Sequence, residues 1–190
     1  MIALPRGGVP VAFEIAMMLG APLETIGVRK IGAPNQPELG VGAIVDGEQP
    51  QVVLDEALCA SLGLRAADVQ PIVQREQEEM RRREAMYRAG RPPLEVRGRT
   101  VIVVDDGIAT GSTLRAVLMA LRGCGASRVV VAVPVASPEA LRQVRQIADD
   151  LVCLHAPGWF RSVGQFYEDF SPTTDKEVIR LLDQSRGADV

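Results

Sequence analysis

The stretch VIVVDDGIATGST, residues 101–113, constrains the fold of this 190-residue chain more than any other feature. Residues 101–104 are apolar without polar alternation, which is typical of a central parallel strand covered on both faces. Gly107 and Gly111 interrupt the hydroxyl-rich loop that follows, and a helical pattern begins at Ser112. A strand that leads through a small-residue loop into a helix predicts an α/β fold with a mainly parallel sheet.

The rest of the chain repeats this alternation of apolar runs and helical patterns. The predicted strands cover residues 1–5, 23–28, 41–45, 51–54, 101–104, 129–135 and 151–154. The predicted helices cover residues 9–19, 66–87, 112–122, 138–148 and 175–184, and the tail from 185 to 190 is expected to fray. The Gly, Pro and Asn content of residues 31–40 predicts a loop. At this length we expect one domain over residues 1–190.

The long predicted helix carries an apolar stripe and a charged face. The stripe consists of Val69, Ile72, Val73, Met80 and Tyr87. The charged face has three acid-before-base pairs four residues apart, which are Glu78–Arg82, Glu79–Arg83 and Glu84–Arg88. The motif GRPP at 90–93 is expected to end the helix. The arginine-rich stretch 81–99 is either an anion or RNA patch or a solvated helix face, and the interleaved acids favour the solvated face.

Charge and cysteine content disfavour several classes of protein. The net charge of −3 does not indicate nucleic-acid binding. No apolar run approaches 18 residues, so no membrane-spanning helix is expected, and MIALPRGG lacks the features of a signal peptide. The three cysteines, Cys59, Cys124 and Cys153, are far apart and odd in number, and His155 is the only histidine. This pattern favours reduced thiols in a cytoplasmic protein and disfavours a zinc site.

Asp105 and Asp106 come directly after the apolar run, at the strand end where open α/β sheets bind ligands. The amides of the loop and of the helix start form an anion site, to which Thr110, Ser112 and Thr113 add hydroxyl groups. The loop is not a Walker A motif, because it lacks the lysine, and it suits one terminal phosphate. Carboxylates accept hydrogen bonds from vicinal hydroxyls or help to hold Mg²⁺. The stretch therefore predicts a ribose 5-phosphate site, the alternative being two acids that only cap a turn.

A second anion site is predicted in ALPRGGVPVA, residues 3–12. It combines a strand end, the guanidinium of Arg6, the pair Gly7–Gly8 and a helix start. The alternative is that the two glycines serve only close packing. VRK at 28–30 ends the second strand and places Arg29 and Lys30 at the same rim, unless they are merely a solvated strand end.

VIVVDDGIATGST resembles the phosphoribosyl pyrophosphate (PRPP) signature of the type I phosphoribosyltransferases, an apolar strand, two acids and a T-G-[ST/G]-T loop. The resemblance extends over nearly the whole chain and is greatest to a predicted bacterial phosphoribosyltransferase branch. It implies that Asp105 and Asp106 hold the ribose hydroxyls. It also implies that the loop binds the 5-phosphate, through Gly107, Ala109, Thr110, Gly111, Ser112 and Thr113.

The same resemblance implies the remainder of the site. The pyrophosphate contacts are expected from Arg6, Gly7, Arg29 and Lys30, often with a cis peptide near the arginine of the first loop. Residues 31–40 become a mobile flap that shields the reaction from water. The implied fold is a three-layer, doubly wound sheet of core order 3-2-1-4-5, in which both anion sites face the switch point between strands 1 and 4.

A small hood is implied over the base. The core is expected to cover about residues 1–154, and the hood and C-terminal helix about 155–184. Trp159 or Phe160 is expected to stack on the base. Core packing is the alternative role for the other aromatics, Phe166, Tyr167 and Phe170, while His155 is structural or a hood contact.

The implied activity is transfer of ribose 5-phosphate from PRPP to a nitrogenous base, with release of pyrophosphate. Asp105, Asp106, Arg6 and Lys30 are the expected catalytic residues, and charge stabilisation dominates. Mg²⁺ is the implied cofactor, held mainly through PRPP and potentially by the two aspartates. A non-catalytic PRPP sensor on the same fold is the alternative. A hydrolase is disfavoured by the single histidine and the lack of a G-x-S-x-G elbow.

Two departures from the family pattern limit what the resemblance implies. Ala109 occupies a position where enzymes for 6-oxopurines usually carry an aspartate, so the acceptor base stays open. The chain also starts directly in its first strand, so the gene is short or the start is truncated. The family further implies nucleotide salvage in the cytoplasm and a homodimer, with no membrane and no nucleic-acid partner.

Overall fold

A computed structural model of the chain describes residues 1–46, 50–88 and 95–187. The strands are β1 (Ile2–Ala3), β2 (Glu24–Thr25), β3 (Val28–Ala33), β4 (Gln36–Val45), β5 (Gln51–Leu54), β6 (Thr100–Val104), β7 (Arg128–Val135) and β8 (Asp150–His155). The helices are α1 (Gly8–Leu19), α2 (Glu56–Ser61), α3 (Ala66–Arg88), α4 (Ser112–Gly123), α5 (Pro138–Val144) and α6 (Asp175–Gly187). The motif at 90–93 and the side-chain pair Glu84–Arg88 lie outside the described residues.

The main sheet is parallel, with strand order β2-β1-β6-β7-β8. Its strands are covered on both faces, as the apolar run predicts. Val103 packs in a cluster with Leu118 of α4, whereas the next residue, Val104, packs in a cluster with Val9 of α1 and Val178 of α6. This arrangement is a mixed α/β fold with three layers, and it confirms the predicted fold class.

The position of β1 sets the switch point. β1 pairs with β2 on one side and with β6 on the other, so the winding of the sheet reverses between β1 and β6. The stretch β2-β1-β6-β7 corresponds to 2-1-4-5 of the expected core order, but the predicted third strand lies in another sheet and β8 forms the far edge. After Ile26, which donates its N–H to Ala3 O, the chain leaves the parallel sheet and continues as β3 of a second sheet.

The second sheet is antiparallel, in the order β3-β4-β5. β4 pairs antiparallel with β5, so the strands predicted at 41–45 and 51–54 are neighbours in this sheet. Residues 31–40, however, form strand, turn and strand rather than a loop, since β3 and β4 pair as far as Ala33 and Gln36. Ile31 and Val41 are fully buried in a cluster with Val69 of α3. Burial of these apolar side chains outweighs the local turn signal, which is confined to residues 34 and 35.

Helix α3 matches its prediction closely. Four stripe residues, Val69, Val73, Met80 and Tyr87, are buried, and Ile72 is partly buried. Beside this stripe, Arg83 pairs with Glu79 at 2.8 Å as expected. Arg82 pairs with Glu79 at 2.8 Å instead of with Glu78. These ion pairs support the interpretation of a solvated helix face for this part of the arginine-rich stretch.

Other elements differ from prediction mainly at their ends. α5 stops at Val144, four residues short of the predicted end, and α6 continues through Gly187, into the tail expected to fray. α2 was not predicted. β8 is an edge strand rather than a core strand, and its Val152 and Leu154 are exposed. Within the described ranges, no helix combines the length and the apolar character needed to cross a bilayer.

Candidate functional site

The two predicted anion loops meet at the switch point. Leu4 donates its N–H to Val104 O over 2.9 Å, which places the end of β1 beside the end of β6. The contact is so close that a Cβ on Gly7 would lie 1.8 Å from Asp106 Oδ2. A larger residue at position 7 would displace the Asp106 carboxylate. The glycine at residue 7 therefore allows close packing and, by the same contact, brings the two loops into one site.

The loop after β1 leads directly into α1. The Pro5–Arg6 peptide bond is cis, as the family resemblance implies. Gly8 and Val9 donate their N–H groups to Leu4 O and Arg6 O, which turns the chain into the helix. No side chain caps the start of α1. The first-turn amides of α1 are therefore engaged, and Pro10 has no N–H, so the Arg6 guanidinium is the main anion donor that this loop presents.

The loop after β6 ends at Gly111, which has φ 77° and is the N-cap of α4. This left-handed conformation favours glycine. The cap offers no side-chain acceptor to the first-turn amides. Thr110 Oγ1 and Ser112 Oγ lie 3.3 Å apart on the exposed side of the loop. The loop thus presents amides and hydroxyls together, which is the composition expected for a phosphate site.

Ser137 was not predicted as a site residue. It stabilises the loop after β6 through two hydrogen bonds. Its Oγ donates to Ala109 O over 2.7 Å, and its N–H donates to Ile108 O over 2.9 Å. The same hydroxyl accepts the N–H of Ala140 and caps α5. The signal available in the sequence was SPE at 137–139, a serine N-cap before a helix-starting proline.

The paired acids are strongly affected by burial. Burial and, to a smaller extent, the Asp106 carboxylate raise the pKa of Asp105 to about 8, while the Asp106 N–H that Asp105 accepts opposes the shift. Burial also raises the pKa of Asp106. Neither carboxylate has an ion-pair partner in the part of the chain that the structure describes. The site therefore favours a ligand that donates hydrogen bonds or a cation that compensates the charge.

The segment after β8 covers this end of the sheet. Tyr167 donates its hydroxyl to Asp106 O over 2.6 Å. Burial, with the nearby charges of Asp106 and Asp105, raises the pKa of Tyr167 to about 12. A Cβ on Gly107 would lie 2.6 Å from Val163 Cγ1. Tyr167, left open between core packing and another role, is thus the tie between the covering segment and the acidic loop.

The aromatic residues of this segment form a chain of ring contacts. Phe166 lies 5.4 Å from the ring of His155 and 5.5 Å from that of Phe160, measured between centroids. His155 therefore contacts the segment after β8. Trp159 is 65 % exposed, and the Arg161 guanidinium lies 4.7 Å from its ring centroid. The exposed ring of Trp159 and the partly buried ring of Phe160 stay the predicted base contacts.

Arg6 is held by two residues that the sequence did not reveal. Its Nη1 lies 3.8 Å from Asp175 Oδ1, at the first residue of α6. The same oxygen accepts the hydroxyl of Tyr87, at the end of α3. A helix-starting acid and a stripe tyrosine carry no sequence signal that links them to residue 6.

Arg29 and Lys30 lie on β3, at a groove of about 390 Å³ between the β3–β4 hairpin and α3. Arg29 does not point freely into the crevice: its Nε donates to Glu76 Oε2 over 2.8 Å, and its Nη2 lies 2.5 Å from the same oxygen. Arg75 pairs with the other carboxylate oxygen of Glu76. The structure thus places Arg29 in an ion-pair cluster with α3.

Comparison with known proteins agrees with this geometry. The family model "Phosphoribosyl transferase domain" matches residues 1–171. A Mycobacterium tuberculosis H37Rv protein named "Putative phosphoribosyl transferase Rv0571c" is 43 % identical over 184 residues, which are 97 % of this chain and 41 % of that protein. The chain thus spans about two fifths of the length of this curated relative.

A solved structure extends the likeness to the fold. The crystal structure of TT1426 from Thermus thermophilus is 40 % identical and has a TM-score of 0.83, over 96 % of this chain and 86 % of that one. The motif loops agree with the match over nearly the whole chain. We conclude that this chain belongs to the phosphoribosyl transferase domain family.

Proposed function

We propose that the chain transfers the ribose 5-phosphate of PRPP to a nitrogenous base and releases pyrophosphate. One observation carries the proposal: the contact between Gly7 and Asp106 joins two anion-binding loops at the switch point. PRPP has a phosphate at one end, a pyrophosphate at the other and a diol between them. Two anion sites with paired carboxylates at their junction match that order of groups.

The loop after β6 binds the sugar phosphate. The amides of residues 109–113 face the 5-phosphate, and the hydroxyls of Thr110, Ser112 and Thr113 add donors. Asp105 and Asp106 accept hydrogen bonds from the two ribose hydroxyls. Burial raises the pKa of both carboxylates. The hydrogen bonds that the ribose hydroxyls donate to them favour the ionised form.

The loop after β1 binds the leaving group. Arg6 supplies a guanidinium, which matches the geometry of phosphate oxygens. Lys30 and Arg29 approach from β3 when the β3–β4 hairpin closes over the site. Closure of this hairpin also excludes water, which otherwise competes with the base.

In the reaction, the bond between the anomeric carbon and the pyrophosphate oxygen breaks, and its electron pair leaves with pyrophosphate. A ring nitrogen of the base supplies the pair for the new bond, and the proton that this nitrogen loses goes to solvent. The transition state resembles an oxocarbenium ion, so preorganised charge contributes most of the stabilisation. Asp105 and Asp106 lie on the side of the ribose and stabilise this positive charge.

Mg²⁺ fits the donor set. Two carboxylates that lack a cationic partner within the described residues offer hard oxygen ligands, and Mg²⁺ commonly takes one or two carboxylates together with substrate phosphates. Asp105 and Asp106 would hold the ion from the protein side, together with pyrophosphate oxygens of PRPP. When bound, the ion neutralises charge on the leaving pyrophosphate.

The acceptor is a free base, which places the reaction in nucleotide salvage. Trp159 and Phe160 are the proposed stacking groups, and Ala109 disfavours a 6-oxopurine. The three free cysteines suit the reducing cytoplasm. A homodimer is proposed from the family resemblance and is checked by sedimentation of the purified chain.

A second candidate is a PRPP sensor without turnover. The ion pair of Arg29 with Glu76 favours it, because this guanidinium is engaged away from the leaving group. One assay separates the two functions: PRPP, Mg²⁺ and a panel of bases are mixed with the protein, and pyrophosphate release is followed. We expect release with one base and none in its absence. Saturable PRPP binding without release supports the sensor, and no PRPP binding contradicts both.

A further inference from the structure

The side chain of Arg6 is held by two residues outside the anion loops, Asp175 and Tyr87, which we call the relay. Arg6 is about one third exposed and lies in a loop of small residues, so packing alone does not determine where its guanidinium points. An arginine that lacks a partner loses considerable rotamer freedom when it binds a ligand. A residue that holds Arg6 in place before PRPP binds therefore affects the affinity of the protein for PRPP.

The first element of the relay is the Asp175 carboxylate. Asp175 Oδ1 lies 3.8 Å from Arg6 Nη1, close enough for charge attraction but longer than a hydrogen bond. The start of α6 holds this acid in place, because Thr174 Oγ1 accepts the N–H of Glu177 and caps the helix. An acid in the first turn also interacts favourably with the helix dipole.

The second element is Tyr87. Its hydroxyl donates to the same Asp175 oxygen, and its ring is 4 % exposed, in a cluster with Val9, Val178 and Leu181. The ring therefore cannot swing away without opening the core between α1 and α6. Burial and the bond to Asp175 raise the pKa of Tyr87 to about 12, so the phenol stays protonated and remains a donor at neutral pH.

The geometry leaves Arg6 free to bind an anion. A carboxylate at 3.8 Å orients the guanidinium without saturating its five N–H donors. A tighter pair of the kind that Arg29 makes with Glu76, in which two guanidinium nitrogens contact one carboxylate oxygen, would compete with the ligand instead. Asp175 thus orients Arg6 and leaves its donors available, whereas Glu76 occupies donors of Arg29.

We propose that Asp175, held by the Tyr87 hydroxyl, is a positioning residue that presets Arg6 for the pyrophosphate group of PRPP. This inference rests on the proposed function, because it assigns the pyrophosphate to Arg6. The relay joins α3, α6 and the loop after β1. It is expected to act on the pyrophosphate end of the ligand, because Arg6 belongs to the loop after β1.

The test compares two ligands that differ only in the pyrophosphate. Dissociation constants for PRPP and for ribose 5-phosphate, each with Mg²⁺, are measured by calorimetry for the wild type and for Asp175→Asn, which keeps the shape and removes the charge. We expect Asp175→Asn to weaken PRPP binding at least fivefold and to change ribose 5-phosphate binding less than twofold. Tyr87→Phe should shift PRPP binding in the same direction by a smaller factor. Asp183→Asn, on the exposed side of α6, is the matched control and should change neither constant.

A double-mutant cycle with Arg6→Ala shows whether Asp175 acts through Arg6. We expect the effect of Asp175→Asn on PRPP binding to disappear in the Arg6→Ala background. The inference is overturned if that effect persists, if both ligands are weakened equally, or if PRPP binding is unchanged in Asp175→Asn. A wild-type protein that binds no PRPP contradicts the proposed function itself, which is a different result from a wild type that binds PRPP as tightly as the variant.

Discussion

Arg29 donates from Nε to Glu76 Oε2 over 2.8 Å, and this bond ties β3 to α3. Hydrogen bonds from Arg29 and Arg75 lower the pKa of Glu76 below its usual value although burial raises it, so the acid is charged at neutral pH. The arginine that the family resemblance assigns to the pyrophosphate is thus held by a competing carboxylate. Binding of PRPP through Arg29 requires that this pair opens.

Glu76→Gln is therefore expected to tighten PRPP binding. Loss of a part-exposed ion pair is worth about 0.5–1 kcal/mol, which corresponds to roughly a threefold lower dissociation constant. The measurement is a calorimetric titration with PRPP and Mg²⁺. Glu79→Gln, on the same helix and paired with Arg82 and Arg83, is the control and should leave binding unchanged. Weaker binding in Glu76→Gln would show that the pair orients Arg29 instead of withholding it.

Gly7→Ala is expected to abolish the shared site. The added Cβ would lie 1.8 Å from Asp106 Oδ2, so the carboxylate or the loop has to move. We predict at least a tenfold weaker affinity for PRPP in a protein that still unfolds cooperatively. The control is Gly158→Ala, where a Cβ meets nothing within 4 Å. Equal affinity in Gly7→Ala and the wild type would mean that the two loops do not act as one site.

The buried Asp105 makes the ligand-free fold sensitive to pH. Its pKa is about 8 in the folded chain against an ordinary value of 3.8, so the folded state binds a proton that the unfolded state releases between these pH values. The contribution of Asp105 to the free energy of unfolding is therefore fully present below about pH 4. It is lost as the pH rises to about 8. Asp105→Asn stays neutral throughout.

We accordingly expect Asp105→Asn to raise the melting temperature at pH 9 by at least ~3 °C, and by less at pH 5, with a chelator present and no ligand. Asp149→Asn is the control of opposite sign, because a hydrogen bond from Arg122 and the Val129 N–H lower the pKa of Asp149. That substitution should lower the melting temperature at pH 9. A gain for Asp105→Asn that does not grow with pH contradicts the assigned burial.

The acidic loop could be predicted because its information is local. An apolar run, two acids and a Gly–Ser–Thr loop occupy 13 consecutive residues, and the parallel sheet fixes which end of the strand carries the ligand. The loop at Arg6 was predictable for the same reason. In both cases the backbone conformation that the site needs is set by neighbouring residues such as Gly111.

The partners of these loops could not be predicted, because they come from distant parts of the chain. Tyr167 reaches Asp106 across 61 residues, and Glu76 reaches Arg29 across 47. Asp175 reaches Arg6 only once α6 has packed on α1. No spacing rule in the sequence relates such pairs; tertiary packing does.

The hairpin at 31–40 was missed for a related reason. Gly, Pro and Asn punctuate the segment and indicate a loop when it is considered alone. Ile31 and Val41 are nevertheless buried against α3, and the energy of that burial comes from a helix about 30 to 40 residues further on. Local turn chemistry predicted a loop over all of 31–40, whereas only residues 34 and 35 form the turn between the two strands.

The central claim is that Asp105 and Asp106 hold the ribose of PRPP, and the double variant Asp105→Asn/Asp106→Asn tests it most directly. Calorimetric titration with PRPP and Mg²⁺ should give a dissociation constant at least tenfold above that of the wild type, a loss of about 1.4 kcal/mol. The protein should remain folded, as judged by its melting curve. An unchanged dissociation constant in the folded double variant would contradict the account.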